Sequence, residues 1–169
     1  MEKIWIAGSS GSGKTTLANL LGEKFNIPVY HRDYISWDEN DNERTENEQI
    51  AMLKDITQND KWIFEGARFT ASKIDGRLNK CDTIIHLEMN RFLCLYRIIK
   101  RWRKKAKRTD ITGIDKQPFN LSLFKYVIFE YPQKNKQREI IFELARERKI
   151  NVIILKGKKK VKNFIMSWD

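Results

Sequence analysis

Cysteine is nearly absent from this chain: of 169 residues only Cys81 and Cys94 are cysteines, far apart and in neither a Cys-x-x-Cys nor a His-rich setting. That argues against a disulfide framework or a zinc site, and both thiols are expected to be reduced, buried and effectively apolar. Histidine is as scarce, and His31 and His86 each lie on an apolar strand-like run, where a packed, hydrogen-bonded role is expected rather than a catalytic one. With three prolines and eight glycines, there is no Pro- or Gly-rich linker, and no internal repeat is visible. No apolar run is long enough to cross a bilayer, and the opening Met-Glu-Lys enters a strand with no apolar leader, so a cytoplasmic protein is expected. Acidic residues are in the minority, 22 against 33 Lys and Arg, a formal charge of +11. The balance favours anionic partners such as nucleotides, phosphorylated metabolites or nucleic acid, without choosing among them. The length and a 41% hydrophobic content lead to the expectation of one globular unit, residues 1–169.

The most informative stretch is Gly8-Ser9-Ser10-Gly11-Ser12-Gly13-Lys14-Thr15, which has the pattern G-x-x-x-x-G-K-[ST]. It follows the apolar run Ile4-Trp5-Ile6-Ala7 and precedes the helical Thr16-Leu17-Ala18-Asn19-Leu20-Leu21, the context a phosphate-binding loop requires. Glycines let the backbone curl so that successive N–H groups and the positive end of the next helix face the β-phosphate of a nucleoside triphosphate. Lys14 is expected to bridge the β- and γ-phosphates and Thr15 to offer its hydroxyl to Mg²⁺.

Along the rest of the chain, apolar strands are expected at 3–7, 29–31, 62–64, 83–87 and 151–155. Helices are expected at 14–25, with Leu17, Leu20, Leu21 and Phe25 on one face, and at about 44–58, with a weak one near 70–80 that carries Gly76. A long helix over 91–108 would bury Phe92, Leu95, Ile98, Ile99 and Trp102. Segments 121–131 and 133–149, divided by Pro132, and a closing helix after Gly157 complete the set. Strands alternating with helices give an α/β fold: a five-stranded parallel sheet with helices on both faces. The helical block between the fourth and fifth strands is where a lid could be housed. The run Arg97 to Arg108 is dense in cations, which on a helix is usually a solvated face.

The phosphate loop, the segment His31-Arg32-Asp33-Tyr34-Ile35-Ser36-Trp37, the segment Trp62-Ile63-Phe64-Glu65-Gly66 and the run Asp82-Thr83-Ile84-Ile85-His86-Leu87-Glu88 together resemble the small kinases of the nucleoside-monophosphate-kinase type. Within that group they are similar to the bacterial topology-modulation (FlaR-type) proteins, relatives of adenylate kinase. The resemblance implies a P-loop NTPase fold, an acceptor-binding segment at about 33–60 and a helical lid at about 97–138. It implies ATP and Mg²⁺ as cofactors, with Gly8 to Thr16 and Gly157 around the nucleotide and Glu65 beside Thr15 at the metal. Lys156 and Lys158 would lie along the base or face solvent. Arg97 and Arg101 stand where adenylate kinases begin the lid with arginines that contact the transferring phosphoryl group, whose spreading charge a guanidinium can hold. For Glu65, an exposed strand end is the competing expectation.

The acceptor side is less defined. In shikimate-kinase-like relatives an aspartate leaving the second strand holds an acceptor hydroxyl, and Asp33 matches it, although a turn or cap role suits an aspartate there equally. Arg68 lies near the arginine of a Gly-Phe-Pro-Arg motif in adenylate kinases, but the proline is missing and the arginine is displaced by one position, which argues against AMP as acceptor. Tyr34 and Trp37 would stack on an acceptor or join the core. Two functions of different class follow: a kinase for a nucleotide or small hydroxylated acceptor, or a nucleotide-switched DNA-binding protein suggested by the net charge.

Overall fold

The computed structural model describes residues 1–40, 42–67, 69–103 and 121–168. Arg68, the cations from Lys104 to Arg108 and residues 109–120 of the expected lid lie outside the described residues.

Five strands, β1 (Lys3–Gly8), β2 (Val29–His31), β3 (Trp62–Glu65), β4 (Thr83–Glu88) and β5 (Asn151–Lys156), form one sheet in the order β2-β3-β1-β4-β5. Every pairing is parallel. The central strand β1 is buried and apolar along most of its length because both of its faces are covered. Alternation sends Ile4 and Ile6 to one face, where they pack with Ile63, Ile85 and with Leu17 and Leu21 of α1 (Lys14–Phe25). Trp5 and Ala7 go to the other face, against Phe64, Ile84 and residues of α2 (Arg32–Ser36), α3 (Glu46–Gln58) and α4 (Arg77–Lys80). α3 starts where a capping box dictates: Thr45 Oγ1 accepts from Glu48 N–H while the Glu48 carboxylate accepts from Thr45 N–H.

Helix existence agrees with the hydrophobic periodicity, and helix orientation departs from it. In α1 the buried residues are Leu17, Ala18 and Leu21, while Leu20 and Phe25 are exposed. In α5 (Arg91–Arg103) only Cys94 is buried, and Phe92 and Trp102, expected inside, are exposed. The reason is placement: α5 turns Cys94 and Arg97 onto the phosphate loop instead of laying its widest apolar stripe on the sheet. The expected helix at 70–80 is two pieces, a 3₁₀ turn at Thr70–Lys73 and α4, divided by Gly76 at φ +86. The described residues resume with α6 (Leu121–Lys125), a π-helical segment Tyr126–Glu130, α7 (Tyr131–Gln133), α8 (Asn135–Glu147) and, after β5, α9 (Gly157–Met166). Pro132 does not divide the two helical blocks as expected; it sits in the first turn of α7, where its missing N–H is harmless, and the break falls at Lys134. Cys81 and Cys94 are free and buried, as composition suggested. Among the described residues no helix is long and apolar enough to cross a membrane.

Candidate active site

β1 ends at Gly8, and the chain curls back before α1 begins at Lys14. Ser12 N–H donates to Ser9 O at 3.1 Å, and Gly13 enters the helix in the left-handed conformation at φ +102. Gly11 is also left-handed, at φ +77, and a Cβ there would stand 2.5 Å from the Cys94 carbonyl oxygen of α5. Both the curl and the close seat on α5 therefore require glycine. Gly11→Ala is expected to lower Mg-ATP affinity at least tenfold, because an L side chain in this conformation costs about 1–2 kcal/mol before the clash is counted. Equilibrium binding with the unfolding midpoint as control checks it; unchanged affinity would show that the loop does not need this seat.

Below the loop the sheet register sets Glu65 of β3 beside Ile6 of β1 on one side and His31 of β2 on the other. Lys14 Nζ donates to Ser9 O at 3.1 Å and stands 3.3 Å from Glu65 Oε1. Thr15 Oγ1 donates to Glu65 Oε2 at 3.4 Å, the same oxygen that His31 Nδ1 approaches at 3.4 Å. Burial pushes the Glu65 carboxyl up, but the Lys14 charge, followed by the hydrogen bond and charge of His31, holds it net below its ordinary 4.5. Its folded pKa being depressed, Glu65 contributes stability that is present above 4.5 and is lost as pH falls through the lower folded value.

These residues fit a triphosphate and a divalent ion. Ser9 Oγ and Ser12 Oγ are buried without a hydrogen-bond partner, a costly arrangement that phosphate oxygens at the loop would relieve. A carboxylate and a hydroxyl side by side at a strand end are an oxygen donor set suited to Mg²⁺ through its waters. Arg97 Nη1 donates to the carbonyls of Gly11 and Ser12 at 3.1 and 3.0 Å, so this arginine is seated on the loop itself. Arg101, one turn on, is exposed in the last turn of α5. Ser10 is partly exposed, Thr16 lies exposed in the first turn of α1, and Gly157 opens α9 at φ +76 with open space around it.

On the acceptor side, Asp33 is half-buried on α2, two residues beyond His31. Tyr34 and Trp37 are exposed rather than core. The strap that follows is pinned by Arg44, whose Nη1 donates to the carbonyls of Tyr34 and Trp37, and by the bridge of Trp37 to Glu43. A small, roughly water-sized cleft lies between α2, α3 and β3, lined by Arg32, Ile35, Gln49, Leu53, Phe64 and Arg77 among others. Arg77 is fully buried, paired with Asp75 at 2.7 Å and laid over the rings of Trp5 and Phe64 at 4.8 and 4.7 Å. The Trp5 indole N–H donates to Gly66 O at 2.6 Å, fixing the chain as it leaves β3.

Sequence reasoning missed three features. His31 was expected to be packed and hydrogen-bonded, and what was not foreseen is its partner, the Glu65 carboxylate; its position at the end of a strand whose neighbour ends in Glu65 was the available signal. The Asp75–Arg77 pair carried none, since a charged residue in a Gly-containing turn reads as surface. Arg138, at the start of α8, lay in a lysine- and arginine-rich stretch that does not distinguish it. His86 is packed as expected: buried between Phe69 and Phe142, with its pKa pushed down to about 3 by burial and then by the charge of Arg138.

Strand order, the loop after the central strand and the Lys14–Glu65–Thr15 cluster define a P-loop NTPase fold of the small-kinase kind. The solved structures it is similar to include shikimate kinase from Bacteroides thetaiotaomicron, at 16% identity over 98% of this chain and 94% of that one, TM-score 0.61. Shikimate kinase from Acinetobacter baumannii in complex with shikimate is 15% identical over 99% and 90%, TM-score 0.57. Shikimate kinase from Aquifex aeolicus is 18% identical over 98% and 94%, TM-score 0.54. No family model and no curated protein matches the chain. At such identities the likeness establishes the fold.

Proposed function

We propose that this protein is a cytoplasmic, Mg-ATP-dependent phosphotransferase that moves the γ-phosphoryl group to a small hydroxylated acceptor or a nucleotide, the hydroxyl being favoured. One observation carries the reading: Glu65 joins Lys14 and Thr15 directly beneath the loop. Gly8 to Thr16 hold the phosphates and Gly157 borders the base. Lys14 would serve the β- and γ-phosphate oxygens, and the Glu65 carboxylate with Thr15 Oγ1 would hold Mg²⁺ through its waters. A bound Mg²⁺ would offset the charge of the phosphates there. Arg97 and Arg101 begin a lid, at about 97–138, that excludes water over the transferring group.

The acceptor lies toward the side of α2 and α3, within segment 33–60, with Trp37 and, assigned from the sequence alone, Arg68 as further acceptor-binding residues. Asp33 accepts the proton of the acceptor hydroxyl as that oxygen bonds to the γ-phosphorus; the bond from phosphorus to the β,γ-bridging oxygen breaks, and ADP leaves. A phosphate acceptor, already ionised, needs no such base. The likeness to shikimate kinases, one of them in complex with shikimate, supports the hydroxyl; the adenylate-kinase and topology-modulation likeness rests on the sequence motifs. Incubation with Mg-ATP and a panel of nucleosides, nucleotides and hydroxylated metabolites, with ADP as the readout, tests the reading. Asp33→Asn is expected to cut turnover at least a hundredfold with a hydroxyl acceptor; undiminished turnover would return the reading to a nucleoside monophosphate kinase. The DNA-binding alternative rests on charge alone, and its signature would be binding that falls steeply with salt.

A further inference from the structure

Among the described residues, three groups reach the Glu65 carboxylate, and they come from two directions. Lys14 Nζ stands 3.3 Å from Oε1, while Thr15 Oγ1 and His31 Nδ1 share Oε2 at 3.4 Å each. Lys14 and Thr15 open α1, directly after the loop. His31 comes from the opposite side, at the end of β2, where the register pairs it with Glu65 residue for residue. Residues paired in this way project to the same face of a sheet, so the imidazole and the carboxylate lie side by side. Their side chains are only 14% and 8% exposed, and a hydrogen bond so shielded from water is stronger than one at the surface.

The three partners differ in what else is asked of them. Under the phosphotransferase reading Lys14 serves phosphate oxygens and Thr15 serves the metal, so both would turn from Glu65 in part once Mg-ATP is bound. His31 has no such second duty. Burial lifts the Glu65 carboxyl, but the Lys14 charge and then the His31 contact bring it net below its ordinary 4.5. At neutral pH it is therefore ionised and can only accept hydrogen bonds, which puts the proton of the contact on His31 Nδ1.

We propose that His31 is a positioning residue for the metal site: its Nδ1–H holds Glu65 Oε2 and keeps the carboxylate in the orientation that, with Thr15 Oγ1, receives the waters of Mg²⁺. The proposal rests on the phosphotransferase reading and on the place of Glu65 in it. In this role His31 transfers no proton and binds no metal. A carboxylate without such a partner is free to change rotamer, and losing an outer hydrogen bond of this kind costs about 10–100-fold in metal affinity.

The test is a binding measurement that needs neither acceptor nor turnover. Affinity for the non-hydrolysable β,γ-imido analogue of ATP is measured by calorimetry with and without Mg²⁺ in the wild type, His31→Ala, His31→Asn, His31→Gln and Glu65→Gln. Mg²⁺ is expected to tighten binding to the wild type about tenfold or more, and Glu65→Gln should lose that gain. His31→Ala should lose most of it, while its affinity without Mg²⁺ stays within about twofold of the wild type. Asparagine carries its amide nitrogen at the same bond distance from the backbone as Nδ1, so His31→Asn should recover most of the gain. Glutamine carries it one bond further out, as Nε2 is, and should not. If the alanine variant does not fold, the asparagine and glutamine variants decide. A gain kept whole by His31→Ala, or recovered alike by Asn and Gln, overturns the positioning role, as does an equal loss of affinity with and without Mg²⁺, which marks packing. A wild type with no Mg²⁺ gain, or a Glu65→Gln variant that keeps it, overturns the metal reading of Glu65 first, and the role of His31 with it.

Discussion

Lys14→Ala lowers ADP formation from Mg-ATP by a hundredfold or more, because it removes the one loop cation placed to follow charge onto the β- and γ-phosphates. The structure adds a second consequence. Lys14 is also the nearest cation to the buried Glu65 carboxylate, which retains Thr15 and His31 when it is lost. A stability cost of about 2 kcal/mol follows, the scale of a hydrogen bond to a charged group. The Glu65 carboxyl also moves upward, since burial then meets less opposition. Rate and urea unfolding measured on the same preparations separate the effects: adding Glu65→Gln recovers part of the stability and none of the rate. Turnover at the wild-type rate would remove Lys14 from the chemistry.

Asp75→Ala carries the largest expected loss of stability. Asp75 and Arg77 are both fully buried, the guanidinium spread over Trp5 and Phe64 on the sheet face covered by α2, α3 and α4. Removing the carboxylate leaves that charge buried without its counterion, at a cost of about 3–5 kcal/mol, on the order of 10 °C in melting temperature for a domain of this size. The double variant Asp75→Ala with Arg77→Met is expected to lose less than the single one, since an apolar chain of similar length suits the aromatic bed. Urea denaturation with a constant m-value checks both; a loss below about 1 kcal/mol for Asp75→Ala would show that Arg77 is held without Asp75.

The legible parts of this fold were those written in local pattern. The loop of Gly8 to Thr15 announces its geometry because glycine spacing and a Lys-Thr pair leave few alternatives, and each of the five strands stands where a short apolar run placed it. Helix faces were less legible: Phe92 and Trp102 lie at helical spacing, yet α5 uses Cys94 and Arg97 against the loop, a choice made by a partner distant in sequence. The site divides in the same way. Lys14, Thr15 and Glu65 could be chosen because a motif names the first two and a resemblance of the segment around Glu65 to adenylate kinases suggests the third. His31 could not, since its contact with Glu65 depends on the β2–β3 register, and the bed of Arg77 exists only once β1 and β3 pair.

The central claim is transfer from ATP to a small acceptor, and the most direct measurement follows the phosphorus itself. The wild type is incubated with Mg²⁺, ATP labelled at the γ-phosphate and the acceptor panel, and the label is traced by product. The expected result is label in a phosphate ester of a hydroxylated acceptor, with ADP formed in equal amount and neither product from Lys14→Ala. Label that stays in ATP, or appears only as inorganic phosphate with every acceptor present, would contradict it.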